Sequence, residues 1–266
     1  DNKMKRNLET ISANEPPQKE AKRQQTLPCT PTSIDDLNSR KVGALFQGDV
    51  IVAYKAILNK DLNKELLRID LTDKEGEMTV TLNVTGHQIE AHQKKLLPSK
   101  GVSIKEFNIA PKTNYDRGDC DYILLLNNNS TIENIPPVCN EFKFIPNTTI
   151  KQLLRSTDNY TIGTLAAVVT TARKSGTQFV FEIKDGLSIE DKAQLYLYET
   201  FAALFDTIEQ QLRRKQVPIY LFKNIVKRNS PDKALRTCQS TFITPLRTEQ
   251  ALQDMRTLVT ATIEVQ

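Results

Sequence analysis

The same order of sequence patterns occurs twice in this chain of 266 residues, and the repeat restricts the fold more than any single motif does. From residue 42, three stretches of alternating apolar and polar residues are followed by a short helical pattern and two further alternating stretches. The same order returns from residue 160. Because successive side chains of a strand point to opposite faces, such alternation predicts strands with one buried face. The chain is therefore expected to form two similar β-rich domains in tandem.

The first copy contains a hairpin signal between its second and third strands. Glu75 and Gly76 lie between two strand-like runs, and glycine supplies the backbone freedom that a tight turn needs. The spacing of Ile89, Leu96 and Leu97 predicts a short helix after the third strand. The predicted strands are 48–58, 66–73, 74–84, 102–110 and 120–126, with the helix at 86–97.

The second copy has a stronger helix signal. Residues 200–215 form an amphipathic pattern, with apolar residues that fall on one helical face: Phe201, Leu204, Phe205, Ile208 and Leu212. The predicted strands are 160–174, 177–186, 191–199, 217–228 and 238–245.

Three strands, a helix and two strands is the element order of the OB-fold, a five-stranded Greek-key barrel. We therefore predict an all-β protein with short helices, made of two tandem OB-fold five-stranded Greek-key barrels. Residues 1–38 are rich in Pro, Gln, Thr and charge, which is typical of a disordered basic tail. The predicted divisions are this tail, a first barrel at 39–137, a linker at 138–150, a second barrel at 151–247, and a C-terminal helix or tail at 248–266.

The sequence argues against an enzyme. No two of the four cysteines have CxxC spacing, and neither a phosphate-binding glycine loop nor a nucleophile elbow is present. We expect no catalytic residue, no metal, no cofactor and no small-molecule substrate. No window approaches 18 consecutive apolar residues, so no membrane association is expected. A metal-dependent nuclease, which needs clustered carboxylates, is a weaker alternative that rests on two aspartate pairs, Asp70 with Asp73 and Asp119 with Asp121.

The distribution of charge indicates a nucleic-acid ligand more clearly than the net charge of +4 does. Residues 209–236 contain eight basic and two acidic side chains, and residues 92–117 contain six basic ones against Glu106 and Asp116. Both segments cover the region between the helix and the fifth strand, which borders the ligand groove of an OB-fold. Basic residues there attract a phosphate backbone, and exposed aromatic rings stack on bases. Tyr115 lies in the first basic loop, and Tyr196 and Tyr198 share one face of a predicted strand.

Three stretches resemble the large subunit of replication protein A, in its two central OB-folds. They are LTDKEGE (71–77), DYILLLNNNS (121–130) and STFITP (240–245), and the resemblance covers about 48–245. Two stretches, 162–173 and 236–245, are closer to the meiosis-specific OB-domain paralogue of that family. The resemblance implies binding of single-stranded DNA in the nucleus, with protein partners in recombination, repair or meiosis.

That family stacks bases on two aromatic residues per barrel. In this sequence the matching positions are Leu67 and Tyr115 in the first barrel and Tyr198 in the second. The fourth position falls near Asn229 or Ser230. The residues expected to bind phosphates are Lys100, Lys112, Arg117, Arg173, Lys174, Lys223, Lys227 and Arg228. Since two of the four aromatic positions are not aromatic, an OB-fold scaffold that recruits repair or recombination factors, with weak or no DNA binding, is the alternative. The sequence does not distinguish DNA from RNA as the ligand.

Overall fold

The structure is a computed structural model that describes residues 29–38, 43–59, 64–228, 234–246 and four positions between 253 and 260. Its first half is a closed barrel with the strand order β1-β2-β3-β5-β4, in which β4 pairs back onto β1. The third and fifth strands are parallel and the other neighbours are antiparallel. The elements are β1 (Gly43–Asn59), β2 (Lys64–Thr72), β3 (Val80–Thr85), α1 (His87–His92), β4 (Gly101–Pro111) and β5 (Tyr122–Ile135).

The second half repeats this topology. A short β10 pairs in parallel with β8 and antiparallel with β9, which closes the ring β6-β7-β8-β10-β9. Short 3-10 turns precede and follow β8, at Ile189–Asp191 and Glu199–Phe201. The other elements are α2 (Ile150–Arg155), β6 (Tyr160–Ser175), β7 (Gln178–Lys184), β8 (Lys192–Leu197), α3 (Ala202–Arg213), β9 (Ile219–Arg228), β10 (Ala234–Arg236) and β11 (Phe242–Pro245). The prediction of two tandem OB-folds is confirmed.

The fifth strand of the second barrel differs from the prediction of one strand at 238–245. It is divided into β10 and β11 by a turn in which the Cys238 amide donates to Thr241 Oγ1 at 2.7 Å. The same hydroxyl donates to the Asn224 carbonyl on β9 at 2.9 Å. These side-chain bonds take the place of ladder bonds and satisfy the Cys238 amide and the Asn224 carbonyl where the strand is interrupted.

The glycine turn predicted in the first barrel is present and requires glycine. Gly76 has φ +70°, a left-handed conformation that disfavours residues with a Cβ atom. A Cβ atom there would also clash with the Glu141 carbonyl oxygen. The turn is therefore packed against the segment that follows β5.

Part of the predicted N-terminal tail belongs to the first barrel. Ile34 and Leu37 are buried in its core, and the Ile34 amide donates to Asp73 Oδ2 at 2.9 Å. The Thr32 amide donates to the Leu45 carbonyl at 2.8 Å. For residues 29–38 the prediction of disorder is therefore wrong, because two apolar side chains suffice to anchor a segment of polar composition. Residues 1–28 lie outside the described residues.

A third apolar cluster joins the barrels. It combines Ile51 and Val52 of β1 with Val168 of β6 and Leu221 of β9, and Phe144 from the predicted linker is buried among them. Phe142 and Phe144 stack at 5.7 Å, and both pack edge-on against Phe242. Met255 and Leu258 are also buried in this cluster, while most of the predicted C-terminal helix or tail lies outside the described residues. The two barrels thus share an apolar interface.

Candidate nucleic-acid interface

An ion pair crosses the interface between the barrels. Lys223 Nζ on β9 lies 2.6 and 2.7 Å from the two carboxylate oxygens of Asp119, in the loop between β4 and β5. Lys223 is 2% exposed, and its ammonium lies 5.3 Å from the centre of the Phe144 ring. A buried ammonium needs a partner, and here the partner is a carboxylate of the other barrel. Lys223 is therefore not available to a phosphate, which corrects its predicted role.

Two other predicted contact residues are also buried. Lys227 donates from Nζ to the Ser156 carbonyl at 2.7 Å, where it caps the C-terminal end of α2. Leu67 packs inside the first barrel with Ile69 and Val84. Both assignments are wrong: the Lys227 ammonium is used inside the protein, and the Leu67 side chain points into the core, where a base has no access. The fourth aromatic position, near Asn229 or Ser230, lies outside the described residues.

The loop between β4 and β5 is held rigid by a buried aspartate. Asp116 accepts from the Thr113 amide at 2.9 Å, the Thr113 hydroxyl at 2.6 Å and Asn83 Nδ2 at 3.0 Å. Burial pushes the pKa of Asp116 upward, but these hydrogen bonds and the charge of Arg68 outweigh it, so that the pKa lies below its usual value. Lys112 also shapes the loop by donating to the Gly118 carbonyl at 2.7 Å. The result is a fixed loop that presents Tyr115, 70% exposed, to solvent.

The outer face of the first barrel adds a tyrosine and an arginine that the sequence analysis did not select. Strand register places Tyr54, Arg68 and Asn83 side by side across β1, β2 and β3. Burial and the charge of Asp70 raise the pKa of Tyr54 to about 12, while Arg68 and Arg117 act in the opposite direction. The alternation of β1 would have marked Tyr54 as outward-facing, since its neighbour Ala53 packs on the core.

A matching set of residues comes from the second barrel. Tyr160, the first residue of β6, pairs in register with Arg228, the last residue of β9. Tyr160 and Tyr198 are 45% and 46% exposed. Burial raises the pKa of Tyr160, whereas the nearby charges of Arg117 and Arg228 lower it, and the Arg117 guanidinium lies 5.9 Å from the Tyr160 ring centre. Arg117, from the first barrel, therefore lies against an aromatic ring of the second.

These residues define one surface that spans both barrels, which we name the junction cluster. It consists of Tyr54, Arg117, Tyr160, Tyr198 and Arg228. Two clefts flank it. A polar cleft of about 540 Å³ lies between the β4–β5 loop and β6, and a groove of about 430 Å³ has Tyr54 on one wall and Tyr198 on the other. Of the predicted residues, Arg117, Tyr198 and Arg228 are brought together here.

Three further predicted residues are exposed but lie elsewhere. Lys100 is exposed just before β4, next to the 430 Å³ groove, while Arg173 and Lys174 are exposed at the hairpin between β6 and β7. Register aligns Arg173, Val180, Tyr196 and Arg236 across the outer face of the second barrel. The Arg236 guanidinium lies 4.8 Å from the Tyr196 ring centre, so this face offers a second stacked cation and ring.

Within the described residues, no group of three or more His, Cys, Asp or Glu side chains is arranged to hold a metal ion. In the same part of the chain, no helix has the length and apolar character required to cross a bilayer. The carboxylates singled out for a nuclease have other contacts. Asp119 binds Lys223 and Thr79, and Asp70 accepts from the Thr81 hydroxyl at 2.8 Å.

The fold and the junction cluster define a tandem OB-fold protein with an aromatic and basic surface across its two barrels. No protein family has a sequence profile that matches this chain, and no curated protein matches it. One solved structure with a similar fold is a replication protein A heterotrimer bound to ssDNA, with a TM-score of 0.50 and 13% identity. That match covers 88% of this chain, which spans 55% of the matched chain.

Solved HIN domains match with lower scores. The p202 HIN1 domain in complex with 12-mer dsDNA has a TM-score of 0.33 at 13% identity, covering 81% of this chain and 100% of that one. The tetrameric p202 HIN2 domain has a TM-score of 0.33 at 10% identity, covering 79% and 99%. At 13% identity the replication protein A comparison shows the shared fold, and the functional argument depends on the junction cluster.

Proposed function

We propose that this protein binds single-stranded nucleic acid along the junction cluster, with DNA as the ligand. The observation that carries the proposal is the convergence of two exposed tyrosines, Tyr160 and Tyr198, and the partly buried Tyr54 with two arginines, from both barrels. Single strands are held by bases stacked on aromatic faces and by cations along the backbone. The junction cluster combines both elements on one surface.

The shared apolar interface supports the proposal energetically. The third cluster and the pair between Lys223 and Asp119 fix the barrels relative to each other before any ligand arrives. A preformed surface avoids part of the ordering entropy that binding otherwise costs. The ligand therefore meets stacking and phosphate-binding groups already in position.

The finer biological role is part of the same proposal. The resemblance of residues 71–77, 121–130 and 240–245 to the replication protein A large subunit supports a nuclear protein of DNA recombination, repair or meiosis that acts without catalysis. Such a protein would work with partners in a recombination or repair complex.

Fluorescence anisotropy of the full chain with labelled poly-dT tests the function. An oligonucleotide of roughly 30 nucleotides covers two barrels, because one OB-fold occupies about 4–16 nucleotides. We expect salt-sensitive binding that is stronger for poly-dT than for a duplex of the same length, and poly-U tests discrimination between DNA and RNA. Equal affinity for duplex and single strand, or no binding at low salt, contradicts the proposal.

Two double variants are compared. One combines Tyr160→Ala with Tyr198→Ala, and its matched control combines Tyr160→Phe with Tyr198→Phe. Loss of two stacked bases weakens binding by roughly 2–6 kcal/mol, since each contributes about 1–3 kcal/mol. Phenylalanine keeps the ring, so the Phe pair should bind within about threefold of the wild type if stacking dominates. If the double alanine variant binds with wild-type affinity, these tyrosines do not contact the ligand.

A specific surface favours the second candidate function, a scaffold for protein partners. Ile189 is 88% exposed and Leu187 is also exposed, on the turn between β7 and β8. Glu190 binds that turn to α2 through ion pairs of 2.8 Å to both Lys151 and Arg155. A fixed turn that presents large apolar side chains is typical of a protein contact. If Ile189→Lys disrupts a complex while oligonucleotide binding is unchanged, the protein has this second role.

A further inference from the structure

We infer that the 430 Å³ groove between the barrels receives one unpaired nucleobase from the bound strand. The inference rests on the proposed function and identifies the site within the junction cluster that distinguishes a single strand from a duplex. The volume lies in the range of roughly 300–1,000 Å³ found for small-molecule sites. Both barrels contribute a wall, so the groove exists only while the interface is intact.

The walls are aromatic and fixed. Tyr54 of β1 faces the groove from the first barrel, and Tyr198 and Phe201 face it from the second. The Tyr198 amide donates to Thr237 Oγ1 at 2.9 Å, and its carbonyl accepts from the Phe201 amide at 3.0 Å. Ile51, which also lines the groove, is buried in the apolar cluster between the barrels. These bonds fix the backbone that carries Tyr198, so that the aromatic side chains lining the groove provide a stacking surface.

The chemistry of the groove fits a base better than it fits a charged peptide. The described residues that line it include no Asp, Glu, Lys or Arg, whereas hydroxyl and amide groups come from Ser99, Thr200 and Gln239. Cations lie outside, at Lys100 next to Ser99 and at Arg117 and Arg228 beside Tyr160. A neutral, planar group with hydrogen-bonding edges and phosphates on either side matches that arrangement.

The groove also explains why a duplex would bind more weakly. A paired and stacked base must first be extruded, which costs a few kcal/mol, whereas a base in a single strand is free to enter. Because the groove receives a single base, only one nucleotide of a short ligand should depend on it.

A scan with single abasic nucleotides tests the inference. The ligand is the shortest oligo-dT that binds the full chain in a length series, so that the strand has few alternative registers. Removing the base at the groove position should weaken binding by roughly 5- to 100-fold, and removal at most other positions by less. The loss of affinity, plotted against the abasic position, should therefore have one maximum. This maximum should disappear in Tyr198→Ala and remain in Tyr198→Phe.

A second measurement does not depend on a variant. Cys238 lines the groove, whereas Cys29 and Cys139 lie outside its lining and serve as internal controls. Bound oligo-dT should slow alkylation of Cys238 at least severalfold and leave the rates of Cys29 and Cys139 unchanged. If the strand binds but the abasic profile is flat and Cys238 is not protected, the groove is not a base site and the proposed function stands. If no strand binds, both proposals fail.

Discussion

Lys223 and Asp119, which are 104 residues apart in sequence, form the ion pair that links the second barrel to the first. The ammonium contacts both carboxylate oxygens and is almost fully buried, while the aspartate side chain is 35% exposed. The pair lies beside the apolar cluster, with the Lys223 ammonium over Phe144. A residue expected to bind phosphate thus helps to fix the surface that phosphate would meet.

The two partners differ in burial, so removing the lysine and removing the aspartate are expected to lower stability by different amounts. Asp119→Ala leaves a buried ammonium unpaired and should destabilise the protein by about 3 kcal/mol. Lys223→Met leaves a carboxylate that solvent reaches and should destabilise it by less, about 1 kcal/mol. Urea unfolding of both variants and of the double variant measures the difference. If Asp119→Ala is no worse than Lys223→Met, the ammonium is not buried as described.

The salt dependence of binding separates the cations of the junction cluster from solvent-accessible cations elsewhere. Each phosphate contact to a single strand contributes about 0.7 to the slope of log affinity against log salt. Arg117→Gln with Arg228→Gln should therefore reduce the slope by about 1.4 if each arginine contacts one phosphate. Arg213→Gln with Arg214→Gln, at the end of α3, should leave it unchanged. Equal slopes in the two double variants would contradict the assignment of the junction cluster.

The buried carboxyl of Asp70 predicts a pH dependence of stability. Burial raises its pKa to about 6 from 3.8. Between those values the folded state binds more protons than the unfolded state, so stability falls as pH rises from about 4 to about 6 and is level above. The loss is at most about 3 kcal/mol.

Asp70→Asn tests this dependence because it removes the ionisation and keeps an acceptor for Thr81. The variant should be more stable at pH 7 than the wild type, with a smaller slope of unfolding free energy between pH 4 and 6. Some slope should remain, since burial also raises the pKa of Asp185 to about 6. An unchanged slope would show that Asp70 does not titrate in this range.

The segment before β1 is anchored in the core, so shortening one of its buried side chains is expected to lower the stability of the protein strongly. Leu37→Ala removes a buried side chain from the first core and should destabilise the protein by roughly 2–5 kcal/mol. Ile145→Ala, at a site 77% exposed, is the control and should change stability by less than about 0.5 kcal/mol. Similar unfolding midpoints for both variants would mean that the segment does not contribute to the core.

Much of the candidate site lay outside what sequence patterns can indicate. The basic loop with Tyr115, and the placement of Tyr196 and Tyr198 on one face of a strand, followed from local composition and alternation. Tyr54 and Tyr160 were missed because alternation indicates only the strand face of a tyrosine: each becomes part of the junction cluster only when β1, the β4–β5 loop and the start of β6 meet. Lys223 and Lys227 were misjudged because β9 is buried on both faces, by its own core and by the contact with the first barrel and α2.

The sequence by itself determined the two barrels, because strand alternation, the glycine turn at Gly76 and the amphipathic pattern of α3 are local consequences of backbone geometry. Only the tertiary structure decided which cations face solvent and which tyrosines converge. Those properties depend on contacts between residues far apart in the chain, such as Lys223 with Asp119. A period of two identifies the face of a strand but not the element that covers that face.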